Sequence, residues 1–204
     1  AIQIWVMKMV RIVIALTPYG VMALMAKVFS TYQLSQFTNL LGFIVACYLA
    51  VFVMFIVHSG ILLLIGKNPV NYYKTVWQVL TFAFVSRSSA ASIPLAISAL
   101  EKLGVPNTIA NIAASFGSSM GQNGCAGIYP AVMVAMIAPT MGIDPFSLQF
   151  LATLLPAIAL GSIGVAGVGG GGTFAALIVL STLNFPVALV GIFIAIEPIV
   201  DMAR

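Results

Sequence analysis

Four charged side chains and three small-residue stretches are where chemistry could reside in this chain. Arg87 stands in Ser86-Arg87-Ser88-Ser89-Ala90-Ala91-Ser92-Ile93-Pro94, while Glu197, Asp201 and Arg204 follow at spacings of four and three. Those spacings set the last three on one helical face. All four lie within long apolar runs. A charge facing lipid costs roughly 2.5–3.5 kcal/mol on insertion scales, so that face must look into protein or water. Arg87 needs an anionic partner, and Asp201 is the better candidate. The planar, permanently charged fork of Arg204 suits a ligand carboxylate. A cluster of ion pairs that only ties elements together is the plainer use of the same charges.

Backbone supplies the rest. The serine cluster and the run Gly161-Ser162-Ile163-Gly164-Val165-Ala166-Gly167-Val168-Gly169-Gly170-Gly171-Gly172-Thr173 each interrupt apolar sequence, so half-helices end at both. Half-helix N-termini carry partial positive charge and C-terminal carbonyls partial negative charge. At the first interruption, N–H groups with the hydroxyls of Ser88 and Ser89 can hold an anionic group. Gly169 to Gly172 expose bare backbone, where positive φ carries little steric penalty, and four glycines make poor helix. They read as a lid that covers a ligand and hinges; close helix packing is the plainer use. A third interruption, Gly121-Gln122-Asn123-Gly124-Cys125, offers carbonyls and the Asn123 amide, oxygen donors suited to a cation such as sodium.

The sole histidine, His58, reads as a hydrogen-bonding partner for a neighbouring helix, with a proton relay as the alternative. Cys47 reads as a buried, inert thiol, and the two cysteines make neither a disulfide scaffold nor a metal spacing. No nucleophile elbow with a Ser/His/Asp ordering occurs, and no phosphate loop followed by Lys. The chain reads as a non-enzyme without a cofactor.

These residues must be positioned by elements suited to lipid. Hydrophobic residues make up 62% of the 204 and charged residues 6%, against about 25% charged in a globular domain. The runs predict a helix over 1–29 with a kink at Thr17-Pro18, a second over 36–66, and a hairpin over 71–104. A broken helix over 107–141, a second hairpin over 144–183 and the start of a last helix over 186–204 follow. In the first hairpin Val76 to Val85 and Ile93 to Leu103 are each half a span. Lys8, Arg11, Lys67, Lys74 and Lys102 gather near one set of segment ends, which the positive-inside rule puts in the cytoplasm. The first hairpin then dips in and returns, and the second enters from the opposite face. The expected fold class is an all-α membrane protein with transmembrane helices, two oppositely oriented reentrant helical hairpins forming an inverted repeat, and one broken helix. Short or Gly/Pro-interrupted segments in two corresponding places point to a secondary transporter's binding site. A net charge of +4 without a basic stripe excludes nucleic acid as a partner. The chain starts inside a helix-like pattern and ends in an apolar run, so it is expected to be a piece of a longer, multi-pass protein of the cell (plasma or inner) membrane.

At three motifs the chain resembles the dicarboxylate/amino acid:cation symporter family, the glutamate-transporter fold. They are Arg-Ser-Ser-x-x-Ser-Ile-Pro at 87–94, Ser-Ile-Gly-Val-Ala-Gly-Val-Gly at 162–169 and Ile-Val-Asp-Met-Ala-Arg at 199–204. The resemblance covers the whole chain, from the fifth membrane helix through most of the eighth. Within the family, residues 122–130 and the glycine lid look most similar to bacterial L-cystine symporters. The resemblance implies that 1–29 belongs to a scaffold and 36–204 mostly to a moving transport domain, in a homotrimer. It implies that Ser88 and Ser89 contact the α-carboxylate, Arg87 pairs with Asp201, and backbone around Val165, Gly167 and Gly169 closes over the substrate. Arg204 matches an arginine that reads a side-chain acid, and Cys125 a substrate-contacting threonine. Asp201 counts among the substrate-binding residues. Ser119 with the carbonyls of Ser162, Ile163 and Val165 matches a sodium site, and Gly121 and Asn123 lie at further ion ligands. The family's Asn-Met-Asp-Gly-Thr is replaced by Gly121-Gln122-Asn123-Gly124-Cys125, so a ligating carboxylate and an amide are gone; Glu197 stands for a family aspartate.

The function implied is import of an amino acid, L-cystine foremost, coupled to Na+ or H+. A glutamate, aspartate or C4-dicarboxylate symporter is the rival within the class. An ion channel built from reentrant loops is the rival outside it.

Overall fold

A computed structural model describes residues 19, 22, 26 and 34–204, apart from 121, 164, 166, 168, 169, 187–189, 195 and 204. The helix expected over 1–29 with its Thr17-Pro18 kink, and the site candidates Gly121, Gly169 and Arg204, therefore lie outside the described residues. The chain divides into two compact units, residues 1–40 and 41–204. In the first, Tyr19, Met22, Ala26 and residues 34–40 are helical. Every regular element among the described residues is a helix, and no strand occurs among them.

Helix α1 (Leu34–Leu64) lies over the second expected span, 36–66. The most apolar 18-residue window of its Leu40–Leu64 portion has a mean hydropathy of 2.9, yet only 17% of that window is buried. An apolar helix so little covered belongs in lipid. At about 1.5 Å per residue its 25 residues reach roughly 37 Å, beyond a hydrocarbon core of about 30 Å. Gly66 (φ +76°) ends it, and the next helix starts at once. Asn68 Oδ1 accepts from Val70 N at 2.9 Å, and Pro69 takes the first helical position.

That next helix, α2 (Pro69–Ser86), packs on α3 (Ser89–Lys102) across a two-residue turn. At 18 and 14 residues the limbs exceed the ten and eleven expected. Capping by Asn68 carries α2 back through Asn71-Tyr72-Tyr73-Lys74, and Ser88 lets the small residues 89–92 begin α3. Helix α4 (Asn107–Gly117) follows and packs on α3.

The interruption of the next span lies earlier than expected. Helix α4 gives way at Ser118, whereas Asn123–Ile128 is already a π-helix that runs into α5 (Tyr129–Ile137). Asn123 and Cys125 are thus helical, and the described non-helical residues here are 118–120 and 122. Single π-helical turns cluster at functional sites.

The second hairpin pairs α6 (Leu148–Ile163) with α7 (Gly171–Thr182). The four-glycine run is not all lid. Gly170 is the N-cap of α7 at φ +89°, and Gly171 and Gly172 are its buried first turn. The core lies here, with Tyr129, Met133 and Val134 of α5 against Ala175, Ala176 and Val179 of α7. Phe43 of α1 packs edge-on to Tyr129 at 5.3 Å between ring centres. In the span expected over 186–204, the described helical segments are α8 (Val190–Ile194) and α9 (Glu197–Asp201).

Candidate functional site

The tips of the two hairpins meet at one carbonyl. Arg87 closes α2 in the left-handed conformation (φ 52°, ψ 33°), and Ser88, extended at φ −143°, caps α3 by accepting from Ala91 N at 3.2 Å. The same Ser88 hydroxyl donates to Gly167 O at 3.1 Å, and Ala90 N donates to it at 2.9 Å. The N-terminus of α3 thus spends a hydroxyl and an N–H on the second tip. Those are the donors that the sequence reserves for an anionic group.

Gly167 also touches the interrupted helix. A Cβ on it would lie 2.5 Å from Ser118 O, 3.0 Å from Gln122 Nε2 and 3.0 Å from Ser89 Cβ. Only glycine lets this segment come so close to the Ser118 carbonyl and to the side chains of Gln122 and Ser89. Gln122, 8% exposed, donates through Nε2 to Ser118 O and, at 3.5 Å, to Val165 O. Sequence reading passed over Gln122. Its signal was a long amide in a stretch otherwise made of small residues.

The acids of α9 serve the second hairpin. Thr173 N donates to Glu197 Oε1 at 2.9 Å, Thr173 Oγ1 donates to Glu197 Oε2, and Gly170 N donates to Asp201 Oδ2 at 3.3 Å. Both carboxylates are buried and lie at the N-terminus of α7, where unpaired N–H groups and the helix dipole favour negative charge. Among the described residues the Arg87 guanidinium makes no ion pair, so the pairing expected with Asp201 is not formed there. The N-terminus of α7 supplies a positive end beside Asp201.

Ser119 Oγ donates to Ser115 O at 3.1 Å and Ser162 Oγ to Ala159 O at 2.8 Å, each within its own turn, while Ile163 is largely exposed. The Asn123 amide turns toward α1, its Nδ2 lying 3.4 Å from His58 Nε2. His58 also lines a cavity of about 580 Å³ between α1, α2, α3 and α4, which is apolar apart from it and the Tyr72 and Tyr73 hydroxyls. That cavity lies apart from Gly167. The structure therefore gathers Ser88, Ser89, Val165 and Gly167 around Gln122, sets Asp201 beside Gly170, and leaves Asn123 with His58. Cys125 is half-buried in the π-helix.

Helical hairpins whose tips share a hydrogen-bonded junction beside an interrupted apolar helix are the arrangement found in secondary membrane transporters. The chain belongs to the sodium:dicarboxylate symporter family, which matches residues 1–204, and is an integral membrane protein. It is 55% identical over its whole length to the L-cystine uptake protein TcyP of Bacillus cereus and 52% identical to that of Bacillus licheniformis. Over 98% of its length it is 56% identical to an uncharacterized symporter of Haemophilus influenzae. The chain spans 44–46% of the length of these relatives.

Proposed function

We propose that the chain forms the substrate- and ion-binding part of a secondary symporter that imports L-cystine by alternating access, coupled to Na+ or H+. One observation carries this reading: donors of the first tip and a carbonyl of the second are joined at Gly167 beside a disrupted helix. The full-length identity to L-cystine uptake proteins supports the substrate. In this reading α2–α3 and α6–α7 are reentrant hairpins entering from opposite faces as an inverted repeat, and the carrier is a homotrimer. Ser88 and Ser89 take a substrate carboxylate, Arg204 and Cys125 line the site, and Asp201 holds an ammonium. The backbone of Val165, Gly167 and Gly169 closes over the ligand. Ser119, Gly121 and Asn123, with carbonyls of Ser162, Ile163 and Val165, take the coupling cation.

The chemistry gives a sequence of events. A carboxylate makes stronger, charge-assisted hydrogen bonds than an amide carbonyl does. An arriving substrate therefore displaces Gly167 O from Ser88 Oγ and Ala90 N, and the second tip must lift and resettle. Uptake of labelled L-cystine into proteoliposomes holding the full-length protein tests this, under a sodium gradient, a proton gradient and neither. Accumulation driven by one gradient is the expected result, and none under either overturns the reading. Conductance without accumulation would indicate the channel, and stronger inhibition by aspartate than by cystine would indicate the dicarboxylate carrier.

A further inference from the structure

Gln122 is the buried polar side chain that the cycle above leaves unused. Its two amide hydrogens are directed at Ser118 O and Val165 O. Reversing the amide would set Oε1 against two carbonyl oxygens, so the orientation is fixed. Oε1 is consequently held in place, buried, and without a hydrogen-bond partner among the described residues. A buried acceptor left unmade is costly, and such atoms call for a ligand. The surroundings choose its sign. Helix α4 ends at Gly117 and α6 at Ile163, so Ser118 and Val165 lie just past two helix C-termini, the partially negative ends.

We propose that Gln122 Oε1 is a ligand for a positive charge on the transported species, and that its Nε2 bridge ties occupancy of that site to closure of the second tip. The charge is either the ammonium of the amino acid or an inorganic monovalent cation. The proposal rests on the symport reading for its context, and Gly167 makes room for it, since a Cβ there would press on Nε2 at 3.0 Å.

The test uses the purified full-length protein and its Gln122→Leu and Gln122→Glu variants. Three quantities are measured: equilibrium binding of labelled L-cystine, binding of 3,3′-dithiodipropionate (the same disulfide diacid without ammonium groups), and the midpoint of thermal stabilisation by Na+, with choline as control. If the charge is the ammonium, Gln122→Leu weakens cystine binding about tenfold and leaves dithiodipropionate within twofold, the scale of one hydrogen bond to a charged group. If it is the cation, the Na+ midpoint rises about tenfold instead. Gln122→Glu keeps the acceptor while losing the Nε2 bridge, so it retains more of the affected ligand's binding than Gln122→Leu does. A Gln122→Leu protein that is merely less stable, with all midpoints within twofold of the parent, overturns the proposal. Should that variant not fold, a Gln122→Glu protein that weakens cystine and Na+ alike does the same. A parent that neither binds nor imports cystine defeats the symport reading alone, because the Na+ titration still decides Gln122.

Discussion

A Cβ at residue 167 would sit 2.5 Å from the Ser118 carbonyl oxygen, closer than carbon and oxygen can approach. Backbone lines that contact, so the strain cannot be relieved by turning a side chain; the second tip has to back away from the interrupted helix. Gly167→Ala should therefore lengthen the bonds from Ser88 Oγ and Ala90 N, while the α5–α7 core remains intact. The expected outcome is a folded protein, destabilised by about 1–3 kcal/mol as for other overpacked sites, whose cystine uptake falls at least tenfold. Thermal unfolding and proteoliposome uptake measure the two, and wild-type uptake in this variant would contradict the junction. Arg87 makes the opposite case. It holds left-handed backbone at a cost of roughly 1–2 kcal/mol, which glycine does not incur. Arg87→Gly should unfold no earlier than the parent; a loss of uptake in that stable variant would assign the guanidinium a functional role.

At the scale of elements, α7 is held by charge as well as by packing. The α9 carboxylates meet its first turn, and Glu197 receives two hydrogen bonds from Thr173 alone. Buried carboxylates at a helix N-terminus are worth roughly 1–2 kcal/mol and escape most salt screening. Glu197→Gln should lower the unfolding midpoint accordingly, with little dependence on ionic strength. Thr173→Val should cost a similar amount, and the double variant less than the sum of the two, which a double-mutant cycle reads directly. This link explains what the sequence hides. Glu197 and Asp201 share a helical face by spacing alone, as expected, but the helix N-terminus they meet includes backbone N–H groups of Gly170 and Thr173, which no side chain announces. The long limbs of α2–α3 were hidden in the same way, because capping by Asn68 and Ser88 outweighs the weak helix propensity of the small and polar residues beside them. By contrast the end of α1 was easier to read, since an apolar run bounded by Gly66 and Pro69 leaves few solutions. The break after Gly117 was legible as a break but not in register, because Gly124 and Gly127 tolerate π-helix as readily as coil.

For the molecule as a whole, the order of stability follows from where the core lies. Met133, Val134, Ala175, Ala176 and Val179 are fully buried between α5 and α7, whereas α1 and α2 present Leu49, Phe52, Trp77 and Val85 outward. The tips, joined by few hydrogen bonds and spread over small residues, are the part most able to open on its own. If the junction at Gly167 is the gate, both tips respond to the same event, since one carbonyl satisfies donors of the first tip and belongs to the second. Hydrogen exchange on the full-length protein tests this without mutation. Peptides covering 86–92 and 161–172 should change protection together, at the same cystine concentration, while a peptide covering 129–137 stays protected throughout. A response confined to the second tip would mean that the hydrogen bonds to Gly167 O do not restrain the first, and that substrate enters without exchanging places with that carbonyl.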